Sequence, residues 1–163
     1  MEHRSDGMAR IRVRLARDEQ GWPPAESEGL WANDLGDGRY RLANTPWFAF
    51  SLSADDVVSA RSDGNDVLWF AERLERGGRM TVRVIPRNDG PLEGDPGRVL
   101  EVFSPLGVTG EVMGGPMRLV ALDIGPDADV GKVKRVCVGG ESNGWWDYEE
   151  ADITSDWRAT SPG

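Results

Sequence analysis

The sequence predicts an α+β protein of two small halves, an SH3-like β-barrel over residues 8–77 and a ferredoxin-like βαββαβ half over residues 78–152. Two observations carry this prediction. Short alternating segments separated by tight-turn signals fill the first half, which is typical of a small barrel. Strand and helix patterns then follow in the order β-α-β-β-α-β. Residues 153–163 are predicted to form a polar tail.

The first half begins with a strand whose two faces differ. Apolar residues alternate with arginines over Met8–Arg17, which is the pattern of a half-buried strand. Together with Arg39 and Arg41, the arginines Arg10, Arg12 and Arg14 are either a patch for an acidic partner or the solvated face of the barrel. Glu28–Asn33 and Arg39–Leu42 are predicted to be strands joined at Asp37-Gly38, because both turn residues tolerate the positive φ of a tight hairpin.

The rest of the first half contains a turn and a second hairpin. Ser53–Asp56 is predicted to be a helical turn capped by Ser53, and Asp56–Arg61 and Asp66–Arg76 are predicted to be strands. The aromatic residues of the segment from Leu30 to Phe50 are predicted to fill the barrel core and to form a surface on which the second half rests. They are Trp31, Tyr40, Trp47, Phe48 and Phe50.

The second half is predicted from a change of hydrophobic period after Gly77. Apolar residues recur at helical spacing in two segments, and the second of these is predicted to end at Gly139-Gly140, because glycine commonly terminates helices. The predicted elements are a strand Met80–Pro86, a helix Pro96–Leu106, strands Val108–Met113 and Met117–Ile124, a helix Asp127–Val138 and a strand Trp145–Asp152.

The charge and the apolar content of the chain narrow the classes of partner. The net charge is -9 and the pI is near 4.6, so the chain is a poor candidate for nucleic-acid binding, which depends on neutralising phosphates. An acidic surface favours basic partners. No apolar run approaches the roughly 18 residues of a membrane span. We therefore predict no nucleic-acid or membrane partner and a cytoplasmic location.

Few side chains offer catalytic chemistry. The single histidine is His3, near the N-terminus, so the folded part lacks the commonest general base and metal ligand. Cys137 lies on the apolar stripe of a predicted helix and is predicted to be an inert core thiol. One cysteine can form neither an internal disulfide nor a zinc site. We predict no catalytic residue, no metal and no cofactor.

The candidate residues for binding a ligand or partner are aromatic and acidic. In one interpretation, those of the last predicted strand form an acidic pocket with aromatic walls, which binds a cation, a basic peptide or a divalent metal. In the alternative interpretation, the acidic residues protect a sheet edge from aggregation. The full set, with two tryptophans from the first half, is Trp145, Trp146, Asp147, Tyr148, Glu149, Trp47 and Trp69.

Several segments together resemble a known family. They are the opening strand, GWPPAESEGLWANDLGDGRYRLANTPWF at 21–48, DVV at 56–58 and WWDYEEA at 145–151. Read together, they resemble a bacterial family of small, mostly acidic proteins with a domain of unknown function, DUF4265. The similarity extends over residues 10–152. The family carries no established activity, so the resemblance implies an architecture and no catalytic residues.

The sequence favours a non-catalytic binding or interaction protein. The specific hypothesis is an immunity- or antitoxin-like partner of a basic protein, suggested by the acidic charge and the missing catalytic equipment. The alternatives are a small-ligand-binding regulatory protein, in which the second half forms a homodimer, and an enzyme that uses only carboxylates, arginine and tyrosine. The sequence does not identify the ligand or the partner.

Overall fold

The computed structural model describes residues 8–161. His3, the histidine considered above, lies outside the described residues. The described chain falls into two compact units, divided between Arg79 and Met80. We call them the barrel unit and the sheet unit. No helix within residues 8–161 is long and apolar enough to cross a membrane.

The barrel unit is a closed barrel with the strand order β1-β2-β3-β4-β5 among its described residues. Sequential strands pair antiparallel, whereas β1 and β5 close the barrel in parallel. The strands are β1 Met8–Arg14, β2 Ser27–Gly36, β3 Arg39–Leu42, β4 Val57–Ser62 and β5 Leu68–Glu75.

Alternation along the strands fills the barrel core. Ile11, Leu30, Leu42 and Val58 are at most 1% exposed, and the neighbours of the first three in sequence are half-buried or exposed. The β2–β3 hairpin turns at Asp37-Gly38, where φ is 57° and 75°, as the turn signal predicted.

Two predictions about this unit are wrong, the first of them in part. Of the five aromatic residues assigned to the barrel core and to a surface for the second half, only Tyr40 is a buried core residue, and the surface for the second half stays a prediction. Trp31 lies on the outer face of β2 because Leu30 and Ala32 point inward, and Phe50 is 59% exposed. The segment Ser53–Asp56 is a turn and not a helix, because Asp55 has a φ of 72° and β4 begins at Val57.

The sheet unit contains a four-stranded antiparallel sheet in the order β7-β8-β6-β9, within the described residues. Two helices pack on one face of it, and their apolar residues form one core with those of the strands. The elements are β6 Met80–Pro86, α1 Pro96–Phe103, β7 Thr109–Met113, β8 Leu119–Ile124, α2 Val130–Ser142, β9 Trp146–Asp152 and α3 Ser155–Ala159. Short 3₁₀ turns cover Ser104–Leu106 and Gly115–Met117.

Helix α2 does not end at Gly139-Gly140 as predicted. It begins after Asp129, whose side chain accepts the Lys132 N–H, and it continues to Ser142. The second glycine has a packing role inside the helix. A Cβ atom on Gly140 would lie 2.2 Å from the indole ring of Trp146, so this position requires the absence of a side chain.

The segment predicted to be a polar tail contains a further helix and a core residue. In α3 the Thr154 side chain accepts the Trp157 N–H, and Trp157 itself is 0% exposed. Lys134 on α2 donates from Nζ to the carbonyl oxygens of Trp157 and Thr160, at 2.7 and 2.8 Å. The buried indole therefore makes α3 part of the sheet unit. Residues 162 and 163 lie outside the described part.

Candidate binding site

The predicted binding residues of the last strand do not share one face. In β9, Trp146 and Tyr148 belong to the core side of the sheet. Asp147 and Glu149 lie on the other side, where they pair with Ile85 and Arg83 of β6. This separation follows from strand alternation, because successive side chains point to opposite faces. The strand therefore separates Asp147 and Glu149 from its own aromatic residues, whereas Glu150 lies beside Tyr148.

Several of these side chains have structural partners. Glu149 Oε1 accepts from Arg83 Nε at 2.7 Å, and the Arg83 side chain is 1% exposed. A buried guanidinium needs such a partner. Trp146 donates from Nε1 to the Cys137 carbonyl oxygen at 3.0 Å, and its ring centroid lies 5.5 Å from that of Phe103. Trp146 is thus a core residue.

The neighbouring Trp145, which precedes β9, lines a small cavity on the helical side of the sheet unit. The cavity has a volume of about 300 Å³. Its walls are apolar except for one asparagine side chain. The lining residues are Val102, Val136, Gly139, Gly140, Asn143, Trp145 and Trp146.

Two titratable groups of the sheet unit are held in their neutral forms near neutral pH. Burial raises the pKa of the Cys137 thiol to about 12, with smaller contributions from the charges of Glu150 and Glu141. Burial and the adjacent Glu150 charge also raise the pKa of Tyr148 to about 12. The Tyr148 hydroxyl donates to Glu150 Oε2 at 3.4 Å. Neither group is a ready nucleophile near neutral pH, since the reactive species are the thiolate and the phenolate.

A larger opening lies in the wall of the barrel. In the parallel pairing of β1 with β5, Ile11 is paired with Leu68 and Arg12 is paired with Trp69. The next residues of both strands line a groove of about 370 Å³, which we call the barrel groove. Its lining residues are Val13, Arg14, Leu15, Ala16, Pro23, Phe48, Ala49, Phe50, Trp69 and Phe70.

A buried carboxylate shapes the aromatic wall of the groove. Glu28 is 7% exposed and accepts backbone N–H groups from three successive residues, Trp47, Phe48 and Ala49; those from Phe48 and Ala49 measure 3.0 Å. Three bonds to one carboxylate fix the loop that follows β3. The loop places Phe48 and Phe50 at the groove.

A stacked arginine stands at the edge of the groove. The Arg14 guanidinium carbon lies 3.9 Å from the centroid of the Trp69 ring, which is a cation–π contact. Trp69 in turn donates from Nε1 to Asp63 Oδ2 at 3.0 Å. Backbone N–H groups and this indole lower the pKa of Asp63, the bond from Asn65 contributing most. The hydrogen bond from Nε1 to Asp63 therefore fixes the orientation of the Trp69 indole.

Of the seven predicted binding residues, only Trp69 lines the barrel groove. Trp47 is half-buried in the barrel unit and contributes its backbone N–H to Glu28. Arg14, Pro23, Phe48 and Phe50 also line the groove and are not among those seven residues. Arg14 belongs to the arginine row, for which a patch for an acidic partner was one of two interpretations, whereas the Trp-Pro-Pro segment and the Trp-Phe-Ala-Phe run indicated only folding.

Within residues 8–161, no group of three or more His, Cys, Asp or Glu side chains is placed to hold a metal ion. Two of the buried carboxylates bind backbone instead. Asp56 is 0% exposed and accepts the N–H groups of Ser53 and Gly77, at 2.9 and 2.8 Å. It also pairs with Arg73 at 3.1 Å. Asp56, like Glu28, therefore has a structural role.

A family model described as a domain of unknown function, DUF4265, matches residues 28–148. The chain belongs to the DUF4265 family. The matched range contains Glu28, the aromatic loop and Trp69, whereas Arg14 and Pro23 precede it. The resemblance seen in the sequence is confirmed.

A solved structure shares the fold of this DUF4265 protein. It is a crystal structure of a hypothetical protein from Neisseria gonorrhoeae, with a TM-score of 0.71 and 18% sequence identity. The alignment covers 93% of this chain and 98% of that chain. No curated protein matches the sequence.

Proposed function

We propose that this DUF4265 protein is a non-catalytic binding protein that holds a segment of a partner protein in the barrel groove. The observation that carries the proposal is the groove itself, about 370 Å³ in volume, with aromatic walls and Phe50 59% exposed beside it. Covering exposed aromatic surface is a main source of binding free energy in protein interfaces. The groove offers that surface in a concave form.

The roles of the candidate catalytic groups support a non-catalytic function. Glu149 neutralises the buried Arg83, and Glu28 and Asp56 bind backbone N–H groups. The Cys137 thiol, with a pKa of about 12, is protonated at neutral pH. An enzyme built on these groups would have to break contacts that hold the fold.

The net charge supports a basic partner, as in an immunity- or antitoxin-like complex. A charge of -9 attracts a basic protein and speeds its encounter, while local side chains decide the contact. A cytoplasmic location belongs to the same proposal. It is compatible with the single cysteine of the chain, whose thiol is free and buried.

The finer fold relationships are also part of the proposal. We infer that the barrel is SH3-like and that the sheet unit is ferredoxin-like. The element order β-α-β-β-α-β from Met80 to Asp152 supports the second relationship. The strand order β7-β8-β6-β9 is consistent with it.

Capture from a lysate of the native host tests the function through matched variants. Phe50→Ser removes the exposed aromatic of the groove, and Leu74→Ser is the control, because Leu74 is also exposed, at 42%, but does not line the groove. We expect a partner that binds the wild type and Leu74→Ser, is lost with Phe50→Ser and dissociates as salt is raised. A partner that Phe50→Ser retains in full would rule out the groove as its site.

The cavity beside Trp145 supports a second candidate, a small-ligand-binding protein. Its volume of about 300 Å³ is at the lower end for small-molecule sites. A thermal-shift screen against metabolites tests this candidate, because a ligand that binds only the folded state raises the melting temperature. The shift should disappear in Gly139→Leu, which fills the cavity. A shift that persists in this variant would place the ligand elsewhere.

A further inference from the structure

We propose that the partner segment carries a carboxylate beside a bulky apolar side chain, and that Arg14, stacked on Trp69, binds this carboxylate. This inference rests on the proposed function and specifies the chemistry of the partner. The apolar side chain would occupy the groove next to Phe48 and Phe50. The carboxylate would meet the guanidinium at the groove edge.

The stacking of Arg14 on Trp69 leaves its N–H donors oriented so that they can reach a partner. The guanidinium carbon is 3.9 Å from the Trp69 centroid, a stacking distance that engages the face of the guanidinium. The N–H donors of a guanidinium lie in its own plane and form a fork that fits a carboxylate with two parallel bonds. Arg14 is also exposed, so a partner can reach it.

The indole under Arg14 is fixed before any partner arrives. Its Nε1 donates to Asp63, and the Asp63 carboxylate also accepts the backbone N–H groups of Asn65 and Val67, at 2.8 and 3.3 Å. A platform held in this way lowers the ordering cost of binding. The arginine is consequently held near the groove instead of sampling the full range of its rotamers.

The surroundings of Trp69 add positive charge. The strand register places Arg12 of β1 beside Trp69 on one side and Arg61 of β4 on the other. Arg12 donates from Nε and Nη2 to Ser27 Oγ, at 3.2 and 2.7 Å, which holds it on the outer face of the barrel. In a chain with a net charge of -9, this row of arginines is a local cationic site. Charge complementarity at the groove edge therefore favours an anionic group.

The same observations favour a peptide over a nucleic acid. The net charge of -9 repels a polyanion everywhere except at the local arginines. The affinity of a nucleic acid depends on neutralising many phosphates, and these arginines can neutralise only a few. A single carboxylate needs one guanidinium. The apolar walls of the groove suit a side chain such as that of leucine, phenylalanine or tryptophan, next to that carboxylate.

Selection from a phage-displayed random peptide library tests the inference with the full-length protein. We expect the selected peptides to have Asp or Glu adjacent to a bulky apolar residue. A synthetic selected peptide should bind Arg14→Glu about tenfold or more weakly, since bonds to charged groups contribute this much. Arg14→Lys, which keeps the charge and loses the fork, should lose affinity by a few-fold. Arg41→Glu is the control, because Arg41 is exposed on β3 and does not line the groove.

The outcomes separate this inference from the proposed function. An empty selection, or peptides that Phe50→Ser binds unchanged, would overturn both. Peptides that require Phe50 but show no preference for acidic residues, or that bind Arg14→Glu as well as the wild type, would overturn the inference alone. Binding of a single-stranded oligothymidylate that is lost in Arg14→Glu would overturn the peptide in favour of a nucleic acid. Circular dichroism melts of each variant verify the fold.

Discussion

The two units use their tryptophans in opposite ways. In the sheet unit, Trp146 and Trp157 are 1% and 0% exposed. In the barrel unit, Trp22 is 37% exposed, and Trp31 and Trp69 lie half-buried on outer faces of strands. Apart from Trp145, which is half-buried at the cavity of the sheet unit, the same residue type thus builds a core in one unit and a surface in the other. The comparison indicates that aromatic content alone does not locate a binding site.

The polar atoms of the indoles show why the two environments differ. A buried indole must place its N–H on an acceptor. Trp146 donates to the Cys137 carbonyl oxygen, and Trp157 donates to Glu150 Oε2 at 2.7 Å. Two barrel indoles, those of Trp31 and Trp69, have a guanidinium group over the ring, at 5.0 Å from Arg10 and 3.9 Å from Arg14. Ring faces that carry arginines are suited to meeting a charged partner.

The largest expected effect is the loss of a core indole. Trp146→Ala should lower the free energy of unfolding of the sheet unit by about 3–5 kcal/mol, because it leaves a large cavity and removes the bond to Cys137. Trp69→Ala is the matched change in the barrel and should cost about 1 kcal/mol or less, since that indole is partly exposed. Urea denaturation followed by circular dichroism measures both. Equal losses would contradict the division of roles between the two units.

A pair of adjacent glycines tests the Trp146 environment by adding one methyl group. Gly140→Ala should destabilise the protein by about 2 kcal/mol, because the new Cβ would lie 2.2 Å from the Trp146 ring. Gly139→Ala should instead stabilise it by about 0.5–1 kcal/mol, since nothing lies within 4 Å and alanine favours helix. Thermal melts of the two variants would show shifts of opposite sign. Shifts of the same sign would show that the helix, and not the indole, sets the requirement at Gly140.

The sequence predicted local structure well and tertiary relations poorly. The bounds of β6 at Met80–Pro86 and the turn at Asp37-Gly38 were predicted correctly, because hydrophobic pattern and turn chemistry are local. The end of α2 was predicted incorrectly, because the glycine at position 140 is required by a contact with Trp146 on another element and does not mark a helix end. Trp157 was likewise assigned to a tail because its burial depends on a core formed elsewhere in the chain.

The candidate site was least accessible to sequence reasoning. Arg14 and Trp69 are far apart in the chain, and they meet because β1 and β5 close the barrel in parallel. No local pattern encodes that closure. The arginine row allowed a binding interpretation and the other segments that line the groove carried folding signals, but their shared location followed only from the topology.

The loop that shapes the groove is the next test. Glu28→Gln should lower the stability of the barrel unit by about 1–2 kcal/mol, because the amide cannot accept all the N–H groups that the carboxylate accepts. We also expect groove binding to weaken as Phe48 and Phe50 lose their fixed positions. Asp34→Asn is the control, since its exposed carboxylate accepts one N–H, that of Gly36 at 2.8 Å, and its loss should cost little. Urea midpoints of both variants provide the measurement; a stable Glu28→Gln would show that the carboxylate is dispensable.

The last prediction concerns high pH, where Tyr148 of the sheet unit should titrate later than Tyr40 of the barrel. The two tyrosines of the chain are Tyr40 in the barrel and Tyr148 in the sheet unit. Both pKa values are raised, that of Tyr148 from 10.0 to about 12. The raised pKa means that the folded state keeps its proton while the unfolded state loses it. The contribution of Tyr148 to stability is therefore complete below pH 10 and is lost as the pH rises towards 12.

Cys137 contributes to the same loss of stability, and its contribution begins to fall at a lower pH, because folding raises the pKa of its thiol from 9.0 to about 12. Phenolate absorbance of Tyr40→Phe reports Tyr148 alone and should rise near pH 12, whereas that of Tyr148→Phe should rise earlier. The urea midpoint should fall less steeply with pH in Tyr148→Phe and in Cys137→Ala than in the wild type, since each variant removes one group that the unfolded state deprotonates first. Phenolate absorbance that rises at the same pH in both tyrosine variants would mean that burial and the Glu150 charge raise the pKa of Tyr148 no further than burial and the Asp34 charge raise that of Tyr40.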